Sequence, residues 1–150
     1  LIVGKTFSKS FSMASIRLGF SVAHEEIAKL FNTIRLPYNV SHLTQIAGKT
    51  AMQHWDKIQE NVDKVVKERK RVSKRLKELD FIVLTSQSNF LLIKFEDAHK
   101  CQRLFEKLKE RKILARYWSS ELLNRYLRIT IGTPEQNDLF LENITEIANE

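Results

Sequence analysis

The sequence has little of several residue types on which functional sites often depend, and each shortage excludes a class of site. A single cysteine, Cys101, rules out a disulfide within the chain and fits the reducing cytoplasm. Four scattered histidines give no Cys/His spacing typical of zinc, so we predict no metal site. With four glycines there is no glycine-rich loop to cradle a phosphate. No apolar run approaches the roughly 20 residues that span a bilayer, and we expect no membrane partner.

The composition is otherwise that of a globular protein with one respectable core, at 43% hydrophobic and 29% charged residues. The formal net charge is +7, and basic chains often bind nucleic acid or anionic membranes. Much of the charge comes from one stretch, in Lys64, Lys67, Arg69, Lys70, Arg71, Lys74, Arg75 and Lys77. Apolar residues recur through that stretch at helical spacing, so we interpret the charges as the solvated face of an amphipathic helix. We therefore predict no nucleic-acid partner, although a basic, non-catalytic nucleic-acid-binding module remains the alternative from a different functional class.

The hydrophobic pattern predicts two strands and three helices in the first part of the chain and a compact α+β unit after Asp80. Strands are predicted at 1–3 and, buried, at 18–23, followed by helices at 25–34, from an N-cap at Ser41 to about 54, and from about 56 to 79. After Asp80 the predicted order is strand, strand, helix, strand, strand, helix, at 81–84, 90–95, 97–111, 113–117, 126–131 and from Pro134 onward. This order favours one helical layer on a sheet.

Lys9 is the first candidate catalytic residue, and it lies within the segment T-F-S-K-S-F-S-M-A-S-I-R-L-G at residues 6–19. A lysine forms a Schiff base only through its neutral amine, and small neighbours let a bulky cofactor approach. Hydroxyl groups on Thr6 and Ser8 can donate to phosphate oxygens, and Arg17 can pair with a phosphate through two hydrogen bonds. A lysine in a serine-rich loop is usually only solvated, so the prediction depends on the whole motif and not on Lys9 alone.

The string resembles the lysine segment of the fold-type I pyridoxal-phosphate-dependent aminotransferases, in which Thr/Ser-x-Ser-Lys is followed by Arg-x-Gly. The resemblance implies that Lys9 is the Schiff-base lysine of pyridoxal 5'-phosphate and that Arg17 binds the cofactor phosphate. It also places Thr6 and Ser8 in the phosphate cup. Ser15 stands where the family commonly has glycine, and we expect at most a slight shift of the loop.

Two further segments are similar to the histidinol-phosphate branch of that family, and with them the resemblance runs through nearly all 150 residues. They are P-Y-N-V-S-H-L-T-Q-I-A at 37–47 and L-R-I-T-I-G-T at 127–133. The resemblance implies that Arg128 binds the acidic head of the substrate, with Arg116 of I-L-A-R as a second candidate. Threonine-phosphate decarboxylases and other fold-type I enzymes share much of the pattern and remain alternatives.

Plainer interpretations exist for these residues. Arg128 lies in an alternating segment typical of a half-buried strand, where an arginine is usually solvated or ion-paired. Tyr38 and Asn39 follow Pro37 and can form a turn, with a role in a pocket or subunit interface as the alternative.

The resemblance implies an α/β large domain, of which residues 1–65 are the C-terminal part, and a small α+β domain at 66–150. It implies amino transfer between L-glutamate/2-oxoglutarate and histidinol phosphate/imidazole-acetol phosphate, in histidine biosynthesis, by a cytoplasmic homodimer. In the family, the aspartate that pairs with the pyridinium nitrogen lies upstream of the lysine. We therefore expect these 150 residues alone to be inactive.

Overall fold

A computed structural model describes residues 1–148 and divides the chain into two units, Leu1–Val62 and Asp63–Glu150. The dividing point falls inside the third helix, α3, which spans Trp55–Glu78. The assignment of residues 1–65 and 66–150 to two domains of a larger enzyme stays a prediction. Residues 149 and 150 lie outside the described part of the chain.

The first unit begins with an antiparallel pair of strands, β1 (Ile2–Thr6) and β2 (Gly19–Ala23). A short 3-10 turn, Ala14–Ile16, lies in the loop between them. Two helices follow, α1 (Glu25–Ile34) and α2 (His42–Gln53). The strands of this pair run in opposite directions.

Side-chain caps explain where the first two helices begin. Ser41 accepts a hydrogen bond from the Thr44 N–H at 3.1 Å, which confirms the predicted N-cap of α2. His24 caps α1 in the same way by accepting from the Glu26 N–H at 3.4 Å. This role of a histidine is absent from the sequence-based interpretation.

The prediction that β2 is a buried strand is wrong for this chain. Phe20 is 44% exposed and Val22 is 59% exposed. Alternation and β-propensity indicate a strand but do not supply the layer that covers it. Within the described part of this unit, Phe7 and Phe11 are the buried large side chains.

The second unit contains a four-stranded antiparallel sheet in the order β3-β4-β6-β5. Its strands are β3 (Ile82–Val83), β4 (Phe90–Lys94), β5 (Arg116–Tyr117) and β6 (Tyr126–Thr130). The strands β3 and β5 are shorter than predicted, and both lie at the edges of the sheet. The helices α4 (Ala98–Glu110) and α5 (Pro134–Ala148) complete the unit. As predicted, the last helix begins at Pro134.

The core of this unit lies on one face of the sheet, where alternate strand residues meet the helices. The sheet and helices supply, among others, Leu91, Ile93, Leu127, Ile129, Val72, Leu76, Leu104, Leu108, Phe140 and Ile144. The single layer of helices on a sheet is therefore confirmed. No helix in residues 1–148 is long and apolar enough to cross a membrane.

The charges of α3 are mainly solvated, as predicted, but Arg71 is half-buried and Arg69 is buried. Arg69 is only 7% exposed, and its Nη1 donates to the Ser88 carbonyl at 2.7 Å. Its Nη2 donates to Gln87 Oε1 at 3.2 Å. An arginine can be buried where polar groups satisfy its N–H donors, and residue type alone does not reveal such partners.

Candidate active site

The loop that carries Lys9, which we call the lysine loop (residues 7–18), is closed at its base by the strand pair. Thr6 is paired with Gly19, and the Phe7 N–H donates to the Leu18 carbonyl at 3.0 Å. Inside the loop, the Ser12 N–H donates to the Lys9 carbonyl at 2.9 Å. The Lys9 backbone is therefore held by a hydrogen bond, and its side chain is exposed.

Two buried phenylalanines anchor this loop on either side of Lys9. Phe7 and Phe11 are 4% and 7% exposed, and their ring centroids are 4.3 Å apart. Phe11 also packs on Trp55, with centroids 5.7 Å apart. Because both flanking rings are buried, the residues between them are left on the open side of the loop.

The helix α2 approaches this loop closely at Gly48, which is buried. A Cβ at position 48 would overlap Leu18 Cδ2 and lie 3.9 Å from Phe7 Cζ. The glycine thus lets the helix backbone pack against the base of the lysine loop.

The structure brings Thr6 and Ser8 together. Thr6 Oγ1 donates to Ser8 Oγ at 3.0 Å and accepts from the Ser8 N–H at 3.1 Å. This small network places two hydroxyl groups side by side at the start of the lysine loop.

Arg17 occupies the other end of the same loop. Its backbone is left-handed, with φ of 52°, and its Nη1 donates to the Ala14 carbonyl at 2.9 Å. Ser15, which stands where the family commonly has glycine, lies in the 3-10 turn. The left-handed conformation is found two residues later, at Arg17. Left-handed backbone in a non-glycine residue is uncommon and is often associated with functional sites.

These groups fit the phosphate end of a cofactor such as pyridoxal phosphate. The pairing of Thr6 with Gly19 brings the chain on either side of the lysine loop together. Thr6, Lys9 and Arg17 are exposed, so a hydroxyl, an amine and a guanidinium can reach an anion from solvent.

The second unit holds the other two predicted site residues, and they face each other. Arg116 and Arg128 are directly paired across β5 and β6. The Arg116 guanidinium lies over the Trp118 ring, with Cζ 5.6 Å from the ring centroid. The Arg128 guanidinium lies over the rings of Phe90 and Trp118, at 5.2 and 5.9 Å.

Arg128 also carries an unsatisfied donor. Its Nε is buried and has no hydrogen-bond partner among residues 1–148. A buried donor without a partner is costly, and two like charges directly opposite each other are unfavourable. The like charges favour an anion beside these two residues, which we call the arginine pair (Arg116 and Arg128).

The aromatic neighbours of the arginine pair were not among the predicted site residues. Trp118 follows Arg116 by two positions, and alternate residues of an extended chain share a face. That spacing was the available signal. Residues 1–148 contain no cluster of three or more His, Cys, Asp or Glu side chains that could hold a metal ion.

Comparison with known proteins adds independent information on the whole chain. A family model described as aminotransferase class I and II matches residues 1–144. A histidinol-phosphate aminotransferase of Brachyspira hyodysenteriae is 41% identical over 150 residues, which are 98% of this chain and 42% of that protein. The chain thus spans about two fifths of the length of the curated relatives it matches.

Solved structures of aminotransferases are similar to this chain over nearly its whole length. The histidinol-phosphate aminotransferase of Clostridium acetobutylicum superposes with a TM-score of 0.85 at 25% identity, over 99% of this chain and 46% of that one. The enzyme from Sinorhizobium meliloti, solved in complex with pyridoxal-5'-phosphate, gives a TM-score of 0.83 at 25% identity, over 99% of this chain and 41% of that one.

Proposed function

Because this chain belongs to the class I and II aminotransferase family, we propose that it is part of a pyridoxal-phosphate-dependent histidinol-phosphate aminotransferase. The whole protein would transfer an amino group between L-glutamate/2-oxoglutarate and histidinol phosphate/imidazole-acetol phosphate. The observation that carries the proposal is the lysine loop, with Lys9 exposed between two buried phenylalanines. The names of relatives at about 40% identity support the choice of substrate.

Lys9 is the proposed catalytic residue. Its Nζ, in the neutral form, would act as the general base that takes the proton from the reacting carbon of the substrate, and the resulting ammonium would return that proton on the cofactor side. The anchors at Phe7 and Phe11 restrict the loop backbone, so the amine is positioned before substrate arrives. Positioning of this kind makes the proton transfer effectively intramolecular.

Thr6, Ser8 and Arg17 are the proposed holders of the cofactor phosphate. When bound, pyridoxal 5'-phosphate supplies the electron sink that the side chains lack. The hydroxyl groups of Thr6 and Ser8 donate to phosphate oxygens after giving up part of their mutual hydrogen bonding. Arg17 adds a permanent positive charge.

Arg128 and Arg116 are the proposed binding residues for the anionic end of the substrate. Histidinol phosphate and glutamate both carry an anion, so the same guanidiniums can serve both halves of the reaction. The two like charges lie directly opposite each other, and a bound anion would relieve their repulsion.

We also propose that the whole protein is a cytoplasmic homodimer. Exposed apolar residues of the first unit, including Leu30, Ile34 and Tyr38, favour contact with further polypeptide. Sedimentation of the full-length protein tests the dimer, and a monomeric holoenzyme would contradict it.

Substitution of Lys9 in the full-length protein tests the proposed function. Lys9→Ala should abolish amino transfer from glutamate to imidazole-acetol phosphate, and Lys9→Arg should not restore it, because a guanidinium is not deprotonated. Lys5→Ala is the matched control, since Lys5 is an exposed lysine on β1 outside the lysine loop, and it should retain activity.

Three results would contradict the proposal. One is full activity in Lys9→Ala. Another is release of carbon dioxide from a phosphorylated amino acid in place of amino transfer, which would favour the decarboxylase alternative. The third is steeply salt-dependent binding of polynucleotide by a protein indifferent to pyridoxal phosphate, which would favour the nucleic-acid-binding module.

A further inference from the structure

Trp118 touches both members of the arginine pair. Its ring centroid lies 5.6 Å from Arg116 Cζ and 5.9 Å from Arg128 Cζ. Trp118 is half-buried and immediately follows β5, whereas its neighbour Tyr117 stacks on Phe105 at 5.4 Å and packs against the core. The two aromatic residues therefore have different surroundings.

A tryptophan is well suited to hold two arginines beside each other. The faces of its indole carry negative electrostatic potential, which attracts cations and offsets the repulsion between paired guanidiniums. A carboxylate would attract them as well, but it would also take up the N–H donors that an incoming anion needs. Stacking uses the face of a guanidinium and leaves the N–H donors along its edge free to bind an anion.

We propose that Trp118 is the positioning residue of the anion site, and this proposal rests on the proposed function of the arginine pair. Trp118 holds the guanidiniums of Arg116 and Arg128 beside each other before an anion binds, so that binding does not require them to rearrange. Phe90 provides a second stacking surface for Arg128. Arg116 has Trp118 alone as an aromatic partner among the described residues and depends on it more strongly.

The steady-state kinetics of the full-length holoenzyme should reveal this role. Trp118→Leu should raise KM for histidinol phosphate about tenfold with kcat within a factor of about two, because the lost interaction is made equally in the ground and transition states. Trp118→Phe retains a smaller ring and should give an intermediate KM. Tyr117→Leu is the matched control, because it removes the adjacent aromatic ring from the core packing and should lower the melting temperature without changing KM.

Tryptophan fluorescence provides a readout that does not depend on turnover. Inorganic phosphate should change the emission of the wild-type protein, and Trp118→Phe should abolish that change while Trp55 and any tryptophan in the rest of the full-length protein remain fluorescent. Phosphate should also protect the wild-type protein against thermal unfolding more strongly than it protects Trp118→Leu.

The two assays separate failure of this inference from failure of the proposed function. An active enzyme in which Trp118→Leu changes neither KM nor the response to phosphate would overturn the role of Trp118 and leave the aminotransferase proposal intact. A phosphate response that depends on Trp118, in a holoenzyme without amino transfer, would support the anion site and contradict the proposed reaction. If Trp118→Leu does not fold, Trp118→Phe decides, and an unchanged KM in that variant overturns the inference.

Discussion

Gly19 lies directly opposite Thr6 across the two strands that close the lysine loop. A Cβ on Gly19 would lie 2.9 Å from the carbonyl oxygen of Lys5, which is a backbone atom and cannot move alone. We therefore expect Gly19→Ala to push the strands apart and to destabilise the loop by about 1 to 3 kcal/mol. The melting temperature of the protein and its affinity for pyridoxal phosphate should both decrease.

Gly4 offers a matched control on the partner strand. A Cβ there meets nothing within 4 Å, so Gly4→Ala should leave both measurements close to the wild type. If Gly19→Ala is as stable as Gly4→Ala and binds the cofactor equally well, the close approach at Gly19 does not position the loop.

Asn137 on α5 ties the turn after β6 to α3, and its removal should be strongly destabilising. Its Nδ2 donates to Glu68 Oε2 at 2.9 Å and to the Gly132 carbonyl at 3.1 Å, while its Oδ1 accepts from the Gly132 N–H at 3.0 Å. Asn137 is 4% exposed, so Asn137→Ala leaves buried polar groups without partners. We expect a loss of about 2 to 3 kcal/mol in the free energy of unfolding, measured with urea.

Asn143 on the same helix is the control for that experiment. It is half-buried, donates to the Leu139 carbonyl one turn earlier and accepts from Arg111 Nη1 at 3.2 Å, and Arg111 also bonds to Glu146. Asn143→Ala should cost less than about 1 kcal/mol, because water replaces what the side chain loses. Equal effects of the two substitutions would show that the contacts of Asn137 with Glu68 and Gly132 carry no special weight.

Features that depend on neighbours in sequence were predictable. Apolar residues at helical spacing gave the extent of α3 to within a residue or two, and Ser41 and Pro134 marked the starts of two helices. The string around Lys9 led to the aminotransferase family, which the family match confirms.

Features that depend on distant partners were not predictable. Arg69 is buried because the Ser88 carbonyl and Gln87 accept its hydrogen bonds, and neither lies on its helix. The strands β3 and β5 lie at the edges of the sheet, and edge position is a property of sheet order and not of local sequence. The contact between Trp118 and Arg128 likewise depends on which strand lies beside which.

Cys101 should be unreactive in the native protein. Burial raises the pKa of its thiol to about 11, and the nucleophile toward thiol reagents is the thiolate. At pH 8 we expect a chromogenic thiol reagent to modify Cys101 slowly in the native protein and rapidly in the same protein in urea. The absorbance of the chromophore that the reagent releases measures both rates. Modification at equal rates would show that Cys101 is accessible.

Glu68 should make the stability of the second unit depend on pH in the acidic range. Hydrogen bonds from Arg71, at 2.7 Å to Oε2 and 3.0 Å to Oε1, lower the pKa of this carboxyl in the folded state, and the Asn137 amide adds to the effect. A carboxyl with a lowered pKa in the folded state stabilises the fold above its unfolded pKa, and that stability is lost as the pH falls through the folded value. The melting temperature should therefore decrease as the pH falls below about 4.5, near the ordinary pKa of a glutamate.

Glu68→Gln separates this group from the other carboxyls. The variant should be less stable than the wild type at pH 7, where it lacks the ion pair with Arg71, and the difference should shrink toward pH 3, where Glu68 itself becomes protonated. Glu135→Gln is the control: hydrogen bonding with Thr133 lowers the pKa of this exposed carboxyl, and solvent screens its contribution. A constant difference between wild type and Glu68→Gln across this range would show that the ionised form of Glu68 is not what stabilises the contact between α3 and α5.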